Sequence, residues 1–74
     1  MSTATLVPIT VNGDAHDVPT GLALPDLLRR LDLDPEQPGI AVARNGAVVR
    51  RAVWSTTPVE ADDAIEIITA TQGG

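Results

Sequence analysis

The chain has 74 residues, a net charge of −5, five arginines, no lysine and no cysteine. That length holds one domain and leaves little room for a walled active site, so it argues against an enzyme and for a binding module, carrier or subunit. The acidic balance argues against nucleic acid or anionic membrane as partners, and the missing cysteine excludes disulfides, thiolate metal sites and a thiol nucleophile.

The first dozen residues lack a basic start and a long apolar run, so no signal peptide is expected. No apolar stretch approaches the ~18 residues of a membrane span, and the expected compartment is the cytoplasm. The first readable element is Leu6 to Val11, apolar and β-branched apart from Pro8, which suggests an edge or bulged strand. Asn12-Gly13 follows, a strong hairpin signal because both residues tolerate positive φ. Ala15 to Val18 makes the return strand, which ends at Pro19 and Gly21. Leu24, Leu27, Leu28 and Leu31 then fall at i, i+3, i+4 and i+7, one apolar stripe on a helix of about two turns. Pro25 and Asp26 suit the first turn, and Arg29 and Arg30 suit the last. Ile40 to Arg44 reads as a strand, Asn45-Gly46 as a second hairpin turn, and a further strand runs from Val48. Arg51 to Pro58 reads as irregular and holds the one aromatic residue, Trp54. Ala64 to Ala70 is the most convincing strand.

The order β-β-α-β-β-β sets two hairpins around one helix, which can cover only one face of a mixed sheet. The expected class is α+β: a β-grasp, the ubiquitin-like fold, with four to five strands on one helix. A single domain spans residues 1–74, of which 70–74 form a flexible C-terminal tail.

That tail is where chemistry is expected. Thr71-Gln72-Gly73-Gly74 offers nothing to pack, and four extended residues reach roughly 13 Å at ~3.3 Å each. This is long enough to leave the domain and enter a cleft on another protein. No Cβ on the last two residues blocks a narrow channel or shields the carboxylate. With glycine near 7% of average usage, a chance diglycine at one given place occurs about once in 200 chains. The pair therefore gains its weight from directly following the last strand of this fold. The tail is expected to be mobile when unbound, having nothing to pack against. Tail amides as rigid as the core by NMR relaxation would contradict this.

Elsewhere the plainer reading prevails. Alternation puts Ile65 and Ile67 on the helix-covered face, and Glu66 and Ile68 on the other. Ile68 is therefore a docking candidate, or else a singly exposed isoleucine. Trp54 reads as a packing anchor rather than a ligand platform. His16 reads as surface, without a carboxylate partner, and no convergent metal ligands are evident. Arg50-Arg51 reads as a solvated pair. Asp14, Asp17, Asp32, Asp34, Glu36, Glu60, Asp62 and Asp63 read as solvated carboxylates of turns and strand ends.

Ile9-Thr10-Val11-Asn12-Gly13, Asp26-Leu27-Leu28, Ala41 to Val49, Trp54, and Ile65-Glu66-Ile67 through Gln72-Gly73-Gly74 resemble the ThiS family. These are sulfur carrier proteins of thiamine biosynthesis, and the match runs from about Leu6 to the C-terminus. Arg44-Asn45-Gly46, Trp54 and the Gln-Gly-Gly end are its most telling parts. One departure is Ala61-Asp62-Asp63, where the family usually has Asp-Gly-Asp; it puts the stability of that turn in doubt. The resemblance implies a cycle at Gly74. An E1-like adenylating enzyme of the ThiF type would use ATP to turn the carboxylate into an acyl adenylate. A persulfide sulfur, ultimately from cysteine through a desulfurase or another donor, would displace AMP and leave a thiocarboxylate. Thiazole synthase of the ThiG type would take that sulfur. The carrier itself would bind no cofactor and no metal. Gly73, Gln72 and Thr71 would contact the partner's channel, and Ile68 its docking face.

Small molybdopterin synthase subunits and carriers of cysteine biosynthesis share the fold and the diglycine end, so another destination for the sulfur stays open. So does a ubiquitin-like modifier, although a lysine-free chain cannot form polymers on its own ε-amines. A plain interaction domain with an accidental diglycine is the remaining alternative, and truncating Gly73 and Gly74 separates it from the others.

Overall fold

A computed structural model describes residues 5–70. Both Asn-Gly dipeptides make the reversals that their chemistry dictates. Asn12 and Gly13 have φ of 51° and 88°, and Asn45 and Gly46 have 52° and 86°. Positive φ at both central residues defines the two-residue hairpin turn that matches strand twist. The first turn joins β1 (Leu6–Val11) to β2 (Asp14–Pro19), and the second joins β3 (Ile40–Arg44) to β4 (Ala47–Val49). β5 (Ala64–Thr69) lies between the hairpins, parallel to β1 and antiparallel to β3. The result is a five-stranded mixed sheet in the order β2-β1-β5-β3-β4. With one helix on one face, it is the α+β β-grasp that the element order implies.

Pro8 does not mark an edge. β1 is an inner strand, flanked by β2 and β5. It pairs with β5 only at Thr10–Ala64 and Val11–Ile65. Thr10 and Asn12 send their N–H groups toward β5, to the carbonyls of Asp63 (3.0 Å) and Ile65 (2.9 Å). Pro8 shares their parity but sits before that ladder begins, so its missing donor costs no strand bond. Its carbonyl accepts from the Asp62 N–H at 2.7 Å.

The helix α1 (Leu24–Arg30) buries Leu24, Leu27 and Leu28, with Pro25 and Asp26 in its first turn and Arg29 and Arg30 in its last. Leu31 is the capping residue rather than a fourth helical position. The Asp32 N–H donates to the Arg29 carbonyl (3.0 Å) and the Leu33 N–H to the Leu28 carbonyl (2.9 Å). Those two bonds form a Schellman closure, and Asp32, at φ 63°, takes the left-handed position that glycine usually fills. Asp62, at φ 68°, does the same before β5. The family departure at Asp62 is therefore accommodated: its turn forms, with Asp63 N–H bonded to the Glu60 carbonyl at 3.1 Å.

Left-handed backbone costs an L-residue about 1–2 kcal/mol, while glycine there loses about 0.5–1 kcal/mol more chain entropy. Asp32→Gly and Asp62→Gly are each expected to stabilise the domain by about 0.5 kcal/mol, seen as a rise of about 2–4 °C in Tm. A fall in Tm for either variant would mean that the aspartate side chain itself supports the turn.

The core joins Ile9, Val11, Val18, Leu24, Leu27, Leu28, Ile40, Val42, Trp54, Val59, Ile65 and Ile67. The segment expected to be irregular instead contains a 3₁₀ helix (Arg51–Thr56) packed against α1. Trp54 is its anchor, buried with its Nε1–H donating to the Val49 carbonyl at 2.8 Å. Arg51 is not a solvated partner of Arg50. Its guanidinium lies 4.4 Å from the indole centroid and donates to the carbonyls of Pro35 and Gln37. It thereby ties the loop after α1 to the 3₁₀ helix, a role that combines cation–π contact with carbonyl capping. Among the described residues, no helix is long and apolar enough to cross a membrane.

Candidate functional site

β5 is the element that leads to the diglycine, and the turn asparagine of each hairpin bonds to it, one at its start and one at Ile67. At its start, Asn45 Oδ1 accepts from the Ala64 N–H (2.9 Å), and Asn45 Nδ2 donates to Asp63 Oδ1 (3.0 Å). Farther along, Asn12 Oδ1 accepts from the Ile67 N–H (2.9 Å), and Asn12 Nδ2 donates to the Ile67 carbonyl (3.2 Å). Each hairpin thus lends the amide of its turn asparagine to the strand between them. In the sequence alone, both asparagines read as turn formers. The available signal was that both turns carry Asn, the residue that combines tolerance of positive φ with one acceptor and one donor.

Asp63 corrects the reading of the carboxylates as uniformly solvated. It is 5% exposed, accepts from Asn45 Nδ2 (3.0 Å) and the Glu60 N–H (2.8 Å), and forms an ion pair with Arg44 Nε at 2.9 Å. Arg44 also reaches Glu60 Oε2 at 3.2 Å. The Arg44-Asn45-Gly46 stretch is therefore a fastening for the start of β5 as well as a turn.

Burial along β5 follows the expected alternation. Ile65 and Ile67 are buried, whereas Glu66 and Ile68 face away from the helix. Ile68 is 65% exposed and lies opposite Ala41, while Glu66 lies opposite Ala43, which in turn pairs with Val48, 77% exposed. Ala41, Ala43, Val48 and Ile68 make an apolar patch on the open sheet face, with the Glu66 carboxylate at its side. Small alanines between two exposed branched side chains leave a shallow surface suited to an apolar contact from a partner.

The patch adjoins the place where the chain leaves the sheet. Ala70, assigned by sequence to the flexible tail, is held: its N–H donates to the Gly39 carbonyl at 2.7 Å. Thr71, Gln72, Gly73 and Gly74 lie outside the described residues. His16 is half-buried rather than fully on the surface, opposite Ile9. It borders a groove of about 340 Å³ with Val11, Leu31, Leu33, Ile67 and Thr69. The described carboxylates do not converge with it into a cluster able to hold a metal ion.

Comparison with known proteins agrees with this arrangement. The family model described as the ThiS family matches residues 4–74. The crystal structure of the thiamine biosynthesis protein ThiS from Geobacter metallireducens superposes with a TM-score of 0.76 at 30% identity, covering 92% of this chain and 100% of that one. A solution structure of a thiamine biosynthesis protein from the same organism gives a TM-score of 0.73 at 30% identity, covering 92% and 88%. Among curated proteins, a thiazole synthase from Magnetococcus marinus is 38% identical over 66 residues. That match takes in 89% of this chain but spans only 20% of the length of the relative. The chain belongs to the ThiS family.

Proposed function

We propose that this small carrier works as a protein co-substrate, with sulfur held on the Gly74 carboxylate and delivered to thiazole synthase. The observation that supports this most is the path of the chain. The central strand, fastened by both hairpins, ends at Thr69, and the sequence continues to Gln72-Gly73-Gly74.

A carboxylate is a poor electrophile, so it is first activated. On an adenylating enzyme of the ThiF type, a Gly74 carboxylate oxygen attacks the α-phosphorus of ATP and pyrophosphate leaves. The terminal sulfur of a persulfide, formed from cysteine by a desulfurase or another donor, then attacks the acyl carbon and AMP departs. A thiol reduces the resulting acyl disulfide and frees the thiocarboxylate. The carrier's own part is to present an unbranched end: Gly73 and Gly74 place no Cβ beside the reacting carbon. Gln72 and Thr71 supply contacts in the partner's channel, and Ile68 anchors the docking face. ATP stays with the partner, the chain binds no cofactor, and the cycle runs in the cytoplasm. A stretch like this one within a thiazole synthase chain supports that enzyme as the acceptor.

Ile68→Glu tests the docking face. With the side chain 65% exposed, the fold should be unaffected. The adenylating enzyme's KM for the carrier is expected to rise about tenfold, or ~1.4 kcal/mol, as for an interface anchor. A KM within about twofold of the parent would remove Ile68 from the contact. The function itself is tested by reconstitution with adenylating enzyme, ATP, persulfide donor and thiazole synthase. The expected result is thiazole formed in proportion to the carrier supplied. Thiazole formed equally well without the carrier would overturn the proposal, and so would a ladder of carrier-bearing proteins in place of product.

A further inference from the structure

We infer that the free edge of β2 takes up an extended, basic segment of a partner protein as an added strand, beside Ala15, His16 and Asp17. This site is separate from the Ile68 face and does not depend on the carrier reading.

β2 lies at one end of the sheet and, among the described residues, pairs only with β1. The two-residue turn fixes which of its backbone groups are used. Val11 and Asp14 close the turn as a hydrogen-bonded pair, and the ladder alternates from there. Ile9–His16 and Val7–Val18 are bonded pairs, whereas Thr10–Ala15 and Pro8–Asp17 are not. The Thr10 N–H follows this parity, pointing away from β2 to the Asp63 carbonyl. Ala15 and Asp17 therefore turn their N–H and C=O groups outward, away from β1. Such groups at alternate residues are what a further strand pairs with.

Charge selects the strand. All five arginines lie between Arg29 and Arg51, and the chain has no lysine. The first hairpin thus carries Asp14 and Asp17, both exposed, and neither arginine nor lysine. Pairing with a second copy would bring two such acidic hairpins together, which like charges on neighbouring strands oppose. A strand bearing arginine or lysine meets them favourably. The helix-side face adds a socket, because Asp14 and His16 on β2 line the groove of about 340 Å³ together with Leu31 and Leu33. A long basic side chain fits there with its methylene stem on the leucines and its charged head at Asp14. The Ile68 patch is formed by β3, β4 and β5, and β1 separates these strands from β2. Both surfaces can therefore be occupied at once.

The probe is a blocked peptide that alternates arginine and valine, titrated into the full chain and followed by amide NMR and hydrogen exchange. Before addition, the Ala15 and Asp17 amides are expected to exchange faster than those of His16 and Val18. With the peptide, the resonances of Ala15, His16 and Asp17 should shift, and the two fast amides should slow about tenfold or more. Asp17→Arg alters an exposed side chain, so the fold should persist while binding weakens about tenfold; Asp14→Asn should weaken it about threefold. A peptide with glutamate in place of arginine should fail to bind, and so should an arginine peptide N-methylated throughout. Undiminished binding of the methylated peptide would reduce the contact to charge alone and overturn the added strand. No shift with the arginine peptide, or shifts at the Ile68 patch instead, would overturn it too. Shifts at Ala15 and Asp17 on concentrating the chain without peptide would assign the edge to a second copy and equally contradict the inference.

Discussion

Deleting Gly73 and Gly74 is expected to abolish sulfur loading while leaving the domain folded. The buried core runs from Ile9 to Ile67, so removing the last two residues takes no side chain from it. Stability should change by no more than about 0.5 kcal/mol, as for a change away from buried contacts. The chemistry has no such margin. The cut moves the carboxylate back by roughly 7 Å, two residues of extended chain, and places it on Gln72, whose Cβ crowds the reacting carbon. Losing the aligned geometry should lower adenylation by at least about a hundredfold. Gly74→Ala is the milder companion, since it keeps the length and adds one methyl group beside the carbonyl. Its expected behaviour is a reduced rate with an unchanged KM. Full loading of the truncated chain would show that the diglycine is incidental.

Asp63→Ala should have the largest effect on folding. The Asp63 carboxylate is buried beneath the start of β5, where it accepts from Asn45 Nδ2 and the Glu60 N–H and forms an ion pair with the Arg44 guanidinium. Removing it strands the Arg44 guanidinium in a half-buried site and unties the turn that feeds the central strand. Breaking one side of a buried pair costs about 3–5 kcal/mol. Arg44 keeps some solvent and its contact with Glu60, which places the expected loss near the lower figure, about 3 kcal/mol. A domain of this size has a net stability of only roughly 3–5 kcal/mol, so the variant should be substantially unfolded at room temperature. Asp63→Asn retains shape and an acceptor and should lose less. Urea unfolding of both variants against the parent checks the order. A loss below about 1 kcal/mol for the alanine variant would mean that this cluster behaves like an ordinary surface ion pair.

Much of the architecture is legible in the sequence because local chemistry and global fold agree. Two Asn-Gly pairs set the hairpins, a stripe of leucines sets the helix face, and alternation in Ala64 to Thr69 sorts Ile65 and Ile67 from Ile68. What escaped detection depends on contacts between distant parts of the chain. Pro8 looks like an edge marker until the short β1–β5 ladder shows that its missing N–H falls where no strand bond forms. Asp63 looks like any turn carboxylate, because its three partners come from residues three to nineteen positions away. Arg51 looks solvated until the Trp54 ring and the carbonyls of Pro35 and Gln37 are seen around it. Asp32 and Asp62 stand where glycine is the usual marker of a left-handed residue, so composition hides both turns. For the candidate site, the exposure of Ile68 on the open sheet face follows from strand alternation, while the diglycine lies outside the described residues. The asparagine clamps were not legible in the sequence, because a side chain that replaces a strand residue leaves no periodic trace.

The central claim is that Gly74 carries sulfur, and intact-protein mass spectrometry tests it most directly. The chain is incubated with an adenylating enzyme, ATP and a persulfide donor, then weighed whole and after fragmentation. The account predicts a mass gain equal to exchanging one oxygen for sulfur, localised to Gly74, dependent on ATP and lost on deletion of that residue. A folded chain with an intact diglycine that gains no sulfur under these conditions, or gains it at another residue, would contradict it.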